Sequence, residues 1–375
     1  MRAGRTGSGA IAAGAAVMLL LLALVPATAA AKKFVVTGHG NGHGVGMSQW
    51  GAYGYAKHGA DYRKIATHYF KGSKVGKVKA GRTIRVLLGT ASNSIKFSKS
   101  RRACGHDLKP GSKYKAVLGG SHVKLVRGNG KKIAKCGRKL VAKGAGGKIK
   151  IGGDGKDRGD LVAAASGGSL LVINQLPLDD YVAGVIPNEM PSSWAMDALQ
   201  AQALAARSYA LATAGNGPFD VYDDTRSQVY GGLSSETKRT NRAVSRSKRQ
   251  VLEYKGEVIV AYFSSSSGGR TENVEYGFPG ASPQPYLKSV KDPYDDASPD
   301  HRWRLTYSRS GAEAALSGLV KGRLKGIKVT KRGVSPRIVK AKVLGTGGAT
   351  KVTGSDLRSR FSGRSTWMSF RWKKK

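Results

Sequence analysis

The sequence predicts an α+β fold, rich in strand, with one long alanine-rich helix at its centre. Three stretches carry that expectation. Ala80 to Ile173 alternates short apolar runs (TIRVLLG, YKAVLGG, HVKLVRG, GKIKIGG, SLLVIN) with glycine and lysine turns, the pattern of successive short strands. Asn174 to Gly217 runs from a short extended segment, through a loop with two prolines around Glu189, into the alanine-rich helix. From His301 onward WRLTYS, IKVTKR, IVKAKVLG and TKVTG again read as strands, with SDLRSRFSG as a helical turn among them.

Taken in order, the chain begins with Arg2 and Arg5 before an apolar run from Ile11 to Val25, then Pro26 and the small residues Ala27-Thr28-Ala29. That arrangement reads as a secretory signal over residues 1–31, its apolar run shorter than the ~20 residues of a spanning helix. Export sets the context for the charge. The 375 residues, ample for a substantial core, carry a formal net charge of +41. Lys71 to Lys150 holds Asp107 as its one acid. Two readings of this surface stand side by side: a solubilising positive shell, and a site for an anionic wall polymer. For an exported chain nucleic acid is not the expected partner. Cys104 and Cys136, inside this segment, read as one disulfide in an oxidising compartment, and the nearby His106 and His122 lack zinc-site spacing.

Residues 32–79 form a glycine- and histidine-rich segment. Glycines in GHGNGHGVGMSQWGA preclude a stable helix at its start, so His39 and His43 are not a helical metal pair, and a short helix is expected over Asp61 to Phe70. No phosphate-loop or dinucleotide fingerprint joins a strand to a helix, so no nucleotide cofactor is inferred and no metal is expected. In the core, Pro187 and Pro191 should hold Glu189 on a rigid connection outside the helix. Ser192 or Ser193 can cap that helix and Gly215 can end it. Gln200, Leu204 and Arg207 then fall on one stripe that starts close to Glu189. A lone carboxylate facing such a stripe suits a general acid; a surface glutamate near a helix start fits the same spacing.

The runs LPLDDYVAGVIPNEMP and ALQAQALAARSYAL, with GHGVGMSQWGA at Gly42 to Ala52, SQVYGG at Ser227 to Gly232 and SSGGRTE at Ser266 to Glu272, closely resemble the SpoIID/LytB family (stage II sporulation protein D / amidase enhancer). The resemblance implies an exported enzyme that cleaves peptidoglycan glycan strands, particularly those lacking stem peptides, by lytic transglycosylation. Glu189 would be its catalytic acid. Arg207, Gln200, Gln228, Tyr230, Ser267, Gly268, Gly269, His43 and Gln49 would bind substrate. The glycine-rich stretch precedes the core here, whereas in many relatives it is expected to follow it, so the two must meet in the fold. By the same resemblance, relatives often carry lysine where this chain has Gln200 and often histidine where it has Ser264. Where some relatives hold a metal, Tyr222, Arg226 and Ser227 stand instead.

The expected organisation is therefore a signal at 1–31, a glycan-groove segment at 32–79, a basic strand-rich segment at 80–173, a catalytic core at 174–300 and a basic strand-rich segment at 301–375. For Glu189 to act as an acid its pKa must rise. The neighbouring helix N-terminus opposes that, so burial against Met190 and Trp194 has to win. Two rival readings are a glycan-binding accessory that stimulates a cell-wall amidase and a secreted basic protein that binds polyanions without catalysis.

Overall fold

A computed structural model describes residues 32–153, 155 and 157–373; the secretory signal expected at 1–31 lies outside them. The fold is α+β and rich in strand, as the sequence predicts. Its helical part gathers around the alanine-rich helix. Four helices matter most: α1 (Gln49–Lys57), α2 (Tyr62–Tyr69), α3 (Leu178–Glu189) and α4 (Met196–Ala212). α4 is buried on nearly every side, against α1, α2, α3 and the helix Lys238–Arg246. Alanine explains how: it favours helix, and its small side chain lets several neighbours approach one axis. Leu199, Leu204, Ile65, Tyr69, Tyr181 and Ile186 fill the spaces left between them.

The strand-rich segment folds as two sheets over a second core. One has seven strands, with Thr83–Ala91, Ser169–Pro177 and Asp160–Ser166 adjacent near one end. The other has six, including Ser94–Ser98, Tyr114–Gly119, His122–Arg127 and Lys132–Lys135. Alternating residues of both, such as Phe97, Tyr114, Leu125, Leu140 and Leu161, meet between them. Cys104 follows the strand Ser100–Ala103 of the first sheet and Cys136 follows Lys132–Lys135 of the second, and the two are joined as a disulfide. The bond therefore ties the sheets together near their edges. A third core belongs to the C-terminal strands, yet the strand Lys33–Gly38 lies at its centre, paired antiparallel with Trp303–Tyr307 and Met368–Lys373. Phe34 and Val36 are buried there. Chain leaving this strand passes directly into the glycine-rich stretch, which is thereby anchored on one side by the C-terminal strands.

The expected loop around Glu189 requires correction. Leu178 to Glu189 is a twelve-residue helix, and Glu189 is its last residue, with Pro187 inside the last turn. Asp179 and Asp180 occupy the first turn, where the helix dipole favours carboxylates. Tyr181, Val182, Val185 and Ile186 recur at helical spacing and are all buried. This apolar stripe outweighs the proline, which removes one hydrogen bond at a helix end rather than in its middle. The start of α4 also differs. Neither Ser192 nor Ser193 caps it; Ala195 stands at the N-cap with no side-chain bond, and Asp197 in the first turn accepts instead from the Tyr62 amide of α2 at 3.1 Å. The helix ends at Ala212, before Gly215.

Candidate active site

The site assembles at the C-terminal end of α3. Met190 and Trp194, both buried, form an apolar wall directly after Glu189. Trp50 and Tyr53 of α1, both half-buried, pack against Trp194 with ring centroids 4.7 Å away in each case. The carboxylate of Glu189 accepts two hydrogen bonds: from the Gln49 side-chain amide at 3.2 Å and from the Val229 backbone at 3.3 Å. The glycine-rich stretch and the core thus meet at this residue. Burial pushes the Glu189 carboxyl above its ordinary value, while the Val229 and Gln49 bonds pull the other way. No other charged group bears on it among the described residues. The helix dipole needs a further correction: Glu189 sits at the negative end of α3, so this helix favours the protonated acid rather than opposing it.

Gln49 is placed with care. It is the first residue of α1, and Ser48 before it caps the helix, accepting from the Gly51 amide at 3.1 Å and donating its hydroxyl to Asp295 at 2.8 Å. Asp295 is buried and also accepts from Ser266 Oγ, the Ser267 and Gly268 amides and His301 Nδ1. Asp292, equally buried, accepts from Tyr69 Oη and Ser267 Oγ, each at 2.7 Å. Burial, with the charge of Asp295 beside it, pushes Asp292 up to about 7. These two carboxylates weld the serine–glycine motif to the glycine-rich stretch. A sequence reading has no local signal for them, because they come from a proline- and aspartate-rich loop.

Other residues expected to bind substrate divide by what they touch. Gln228 is buried, accepts from Tyr181 Oη at 3.0 Å, and its Nε2 has no hydrogen-bond partner among the described residues; it adjoins Val229 and hence Glu189. Gln200 is buried on α4 and makes no side-chain hydrogen bond with another described residue. His43, half-buried, packs against Tyr262 and Phe278; burial and Arg337 hold it down at about 4. The remaining expected residues are engaged with other parts of the fold. Arg207 is fully buried, pairs with Asp179 at 2.8 Å and donates to the Gln250 carbonyl at 2.9 Å. Asp179 lies ten residues before Glu189, about 15 Å along a helix, so Arg207 serves the opposite end of α3. Tyr230 donates to Asn174 at 2.8 Å and packs flat on Tyr181, and its ring lies so close to Gly184 that a Cβ there would meet it at 2.5 Å. Ser267 and Gly268 donate to the two aspartates and the Gly269 amide donates to Ser267 Oγ at 3.0 Å, with Gly268 at φ +77 and Gly269 at φ +108, conformations suited to glycine. The aromatic side chains Trp50 and Tyr53 were not singled out by sequence reasoning, although their place beside Gln49 in SQWGAY was a signal.

The arrangement is that of an α+β protein with a half-buried carboxylate at a helix end, bonded by the Gln49 side chain and the Val229 amide. Residues 166–254 match the family model SpoIID: Stage II sporulation protein. Over 138 residues the chain is 44% identical to the amidase enhancer of Bacillus subtilis (strain 168), covering 37% of this chain and 18% of that protein. Over 220 residues it is 32% identical to stage II sporulation protein D of Bacillus amyloliquefaciens, covering 54% and 62%. An uncharacterized protein of Brachyspira hyodysenteriae is 42% identical over 136 residues, covering 35% and 36%. The matched stretches thus span less than two thirds of each relative's own length. The chain thus carries a SpoIID-like stretch at 166–254 and is similar to stage II sporulation protein D and to the amidase enhancer over part of its length.

Proposed function

We propose that this protein acts outside the cytoplasm on the cell wall, cleaving peptidoglycan glycan strands, best those without stem peptides, by lytic transglycosylation with Glu189 as the one acid–base group. The names of its relatives, a sporulation protein and an amidase enhancer, support a role at the wall. The observation that carries the reading is the setting of Glu189: raised by burial, held by Gln49 and Val229, and free of any second carboxylate among its contacts. Protonated Glu189 gives its proton to the glycosidic oxygen as the bond from the anomeric carbon breaks. The resulting carboxylate takes the proton of the muramic acid C6 hydroxyl as that oxygen bonds the anomeric carbon. The products are a 1,6-anhydro end and a free hydroxyl end. Water is not consumed, so the chemistry needs no second carboxylate. Trp50 and Tyr53, packed on Trp194 next to Gln49, offer ring surface for a sugar, and the Nε2 of Gln228, without a partner among the described residues, offers a donor to a sugar oxygen or acetamido carbonyl.

The test is mass analysis of purified, peptide-free glycan strands after incubation with the protein. Products lighter by one water than hydrolytic ones are expected. Glu189→Gln keeps the volume and loses the transferable proton, so turnover should fall about 10² to 10⁴-fold with glycan binding nearly unchanged. An active glutamine variant would overturn the assignment. A second reading, a glycan-binding accessory to a wall amidase, is favoured by the commitment of Arg207 and Tyr230 to packing and by the departures at Gln200 and Ser264. Absence of cleavage by the unaltered protein, with stimulation of an added amidase, would select it.

A further inference from the structure

We propose that the outer face of the six-stranded sheet is a binding face for a flexible, base-free polyanion of the phosphodiester-linked polyol kind. The inner face of this sheet carries Phe97, Tyr114, Ala116, Val123 and Leu125, all buried in the core it shares with the seven-stranded sheet. Side chains alternate along a strand, so the residues between these point outward. They are Lys96, Lys113, Lys115, Lys124, Lys132 and Lys135, interrupted by Ser94, Ser98, Val117 and Val126. The register sets like against like: Lys96 lies directly opposite Lys115, and Lys124 directly opposite Lys135. Like charges facing each other across a ladder destabilise the pair, and a solubilising surface would intersperse acids. Among the described residues none is interspersed on this face, Asp157 on the edge strand Asp157–Arg158 of the same sheet being buried. The one acid from Lys71 to Lys150 is Asp107, on a strand of the other sheet. His122 feels the result, held below its ordinary value by desolvation and then by Lys135, Lys124 and Lys132. Lys96, Lys113 and Lys115 also line a cleft together with Ser98, Gly128 and Lys150.

The composition of the face selects the occupant. Lysine is a point charge on a flexible stem, suited to phosphate oxygens in many orientations rather than to one fixed planar acid. Among the described residues of these strands the large rings, Phe97 and Tyr114, are buried, and the half-buried imidazole of His122 stands among lysines, so the face offers little ring area for stacking a nucleobase. No large apolar side chain stands exposed on the face to enter a bilayer; among the described residues Val334, in the C-terminal segment, is the exposed one. Alternate lysines on one strand are about 7 Å apart and neighbouring strands about 5 Å apart. Successive charges of a flexible polyol-phosphate chain can reach them.

The full-length protein is titrated with a purified glycerol-phosphate polymer over a salt series, beside single-stranded RNA and phosphatidylglycerol vesicles. The combined variant Lys96→Gln, Lys115→Gln, Lys124→Gln, Lys135→Gln should bind the polymer about tenfold or more weakly, with a visibly shallower dependence on salt. Lys→Arg at the same four positions should restore binding. The set Lys57→Gln, Lys64→Gln, Lys71→Gln, Lys238→Gln removes equal charge from exposed positions elsewhere and should leave affinity within about twofold. Equal losses in both glutamine sets, or no loss in the first, would overturn the proposal. So would RNA or vesicles binding as tightly as the polymer. Glu189→Gln should keep full polymer affinity, so failure of the glycan-cleaving reading and failure of this one show up in different measurements.

Discussion

At the scale of a residue, Glu189 is governed by competition between burial and two donors. Burial raises its pKa, and the Gln49 amide and Val229 amide lower it. A raised acid is protonated, and therefore competent to donate, up to a higher pH; activity is lost as pH rises through the folded value. Gln49→Leu removes one donor to the charged form and should raise that value further. A hydrogen bond to a charged group is worth roughly one pK unit, so the alkaline limb of the kcat/KM profile should move up by about one pH unit. The acid limb of the profile should stay in place. A profile unmoved by Gln49→Leu would mean that Gln49 does not bond the carboxylate in solution.

At the scale of an element, α3 decides where the acid stands. Its far end is fastened by Arg207 of α4, which reaches Asp179 at 2.8 Å and the carbonyls of Ala203 and Gln250. Asp179 also accepts from the Arg249 amide at 3.3 Å, so α3, α4 and the strand Gln250–Tyr254 converge on this pair. Burial lowers the Arg207 pKa and the Asp179 charge opposes that fall. Arg207 is fully buried and Asp179 half-buried, so deleting the arginine strands a carboxylate that water partly reaches, at a cost below that of a wholly buried pair, about 2–3 kcal/mol. Arg207→Ala should therefore lower unfolding stability in urea by about that amount. Glycan affinity of the fraction that remains folded should be nearly unchanged. A folded variant of normal stability with weakened glycan binding would return Arg207 to the substrate.

At the scale of the whole molecule, distant parts of the chain converge on the site. The strand Lys33–Gly38 is centred in the C-terminal sheet, and the glycine-rich stretch leaves it to reach the core. Glu272 and Arg337 lock this path, Glu272 accepting from the Val334 amide and Ser335 Oγ, and Arg337 donating to the Ser267 and Arg270 carbonyls. In the strand-rich part the Cys104–Cys136 bond joins two sheets that share one core. Removing it by Cys104→Ser with Cys136→Ser should cost about 3–4 kcal/mol on the chain-entropy account. Thiol labelling of the denatured, unreduced protein checks the bond itself, and two free thiols would refute it.

The sequence by itself determined the alanine-rich helix, the run of short strands and the cysteine pair, and it singled out Glu189 as the candidate acid, because each is written in local periodicity, local composition or a compact motif. It misplaced the surroundings of that acid. Prolines argued for a loop, and only the tertiary structure reveals the buried stripe of Tyr181, Val182, Val185 and Ile186 that makes the segment helical and turns the helix dipole in favour of protonation. The stripe of Gln200, Leu204 and Arg207 was legible as one face of a helix, but not which end of α3 that face would meet. Asp292 and Asp295 were invisible as site-builders, since their partners lie far away in the chain, Ser48 at a separation of 247 residues. Spacing along a chain reports which side chains share a face; which faces meet, and which polar groups are consumed in holding them, depends on long-range packing and on satisfying buried hydrogen bonds.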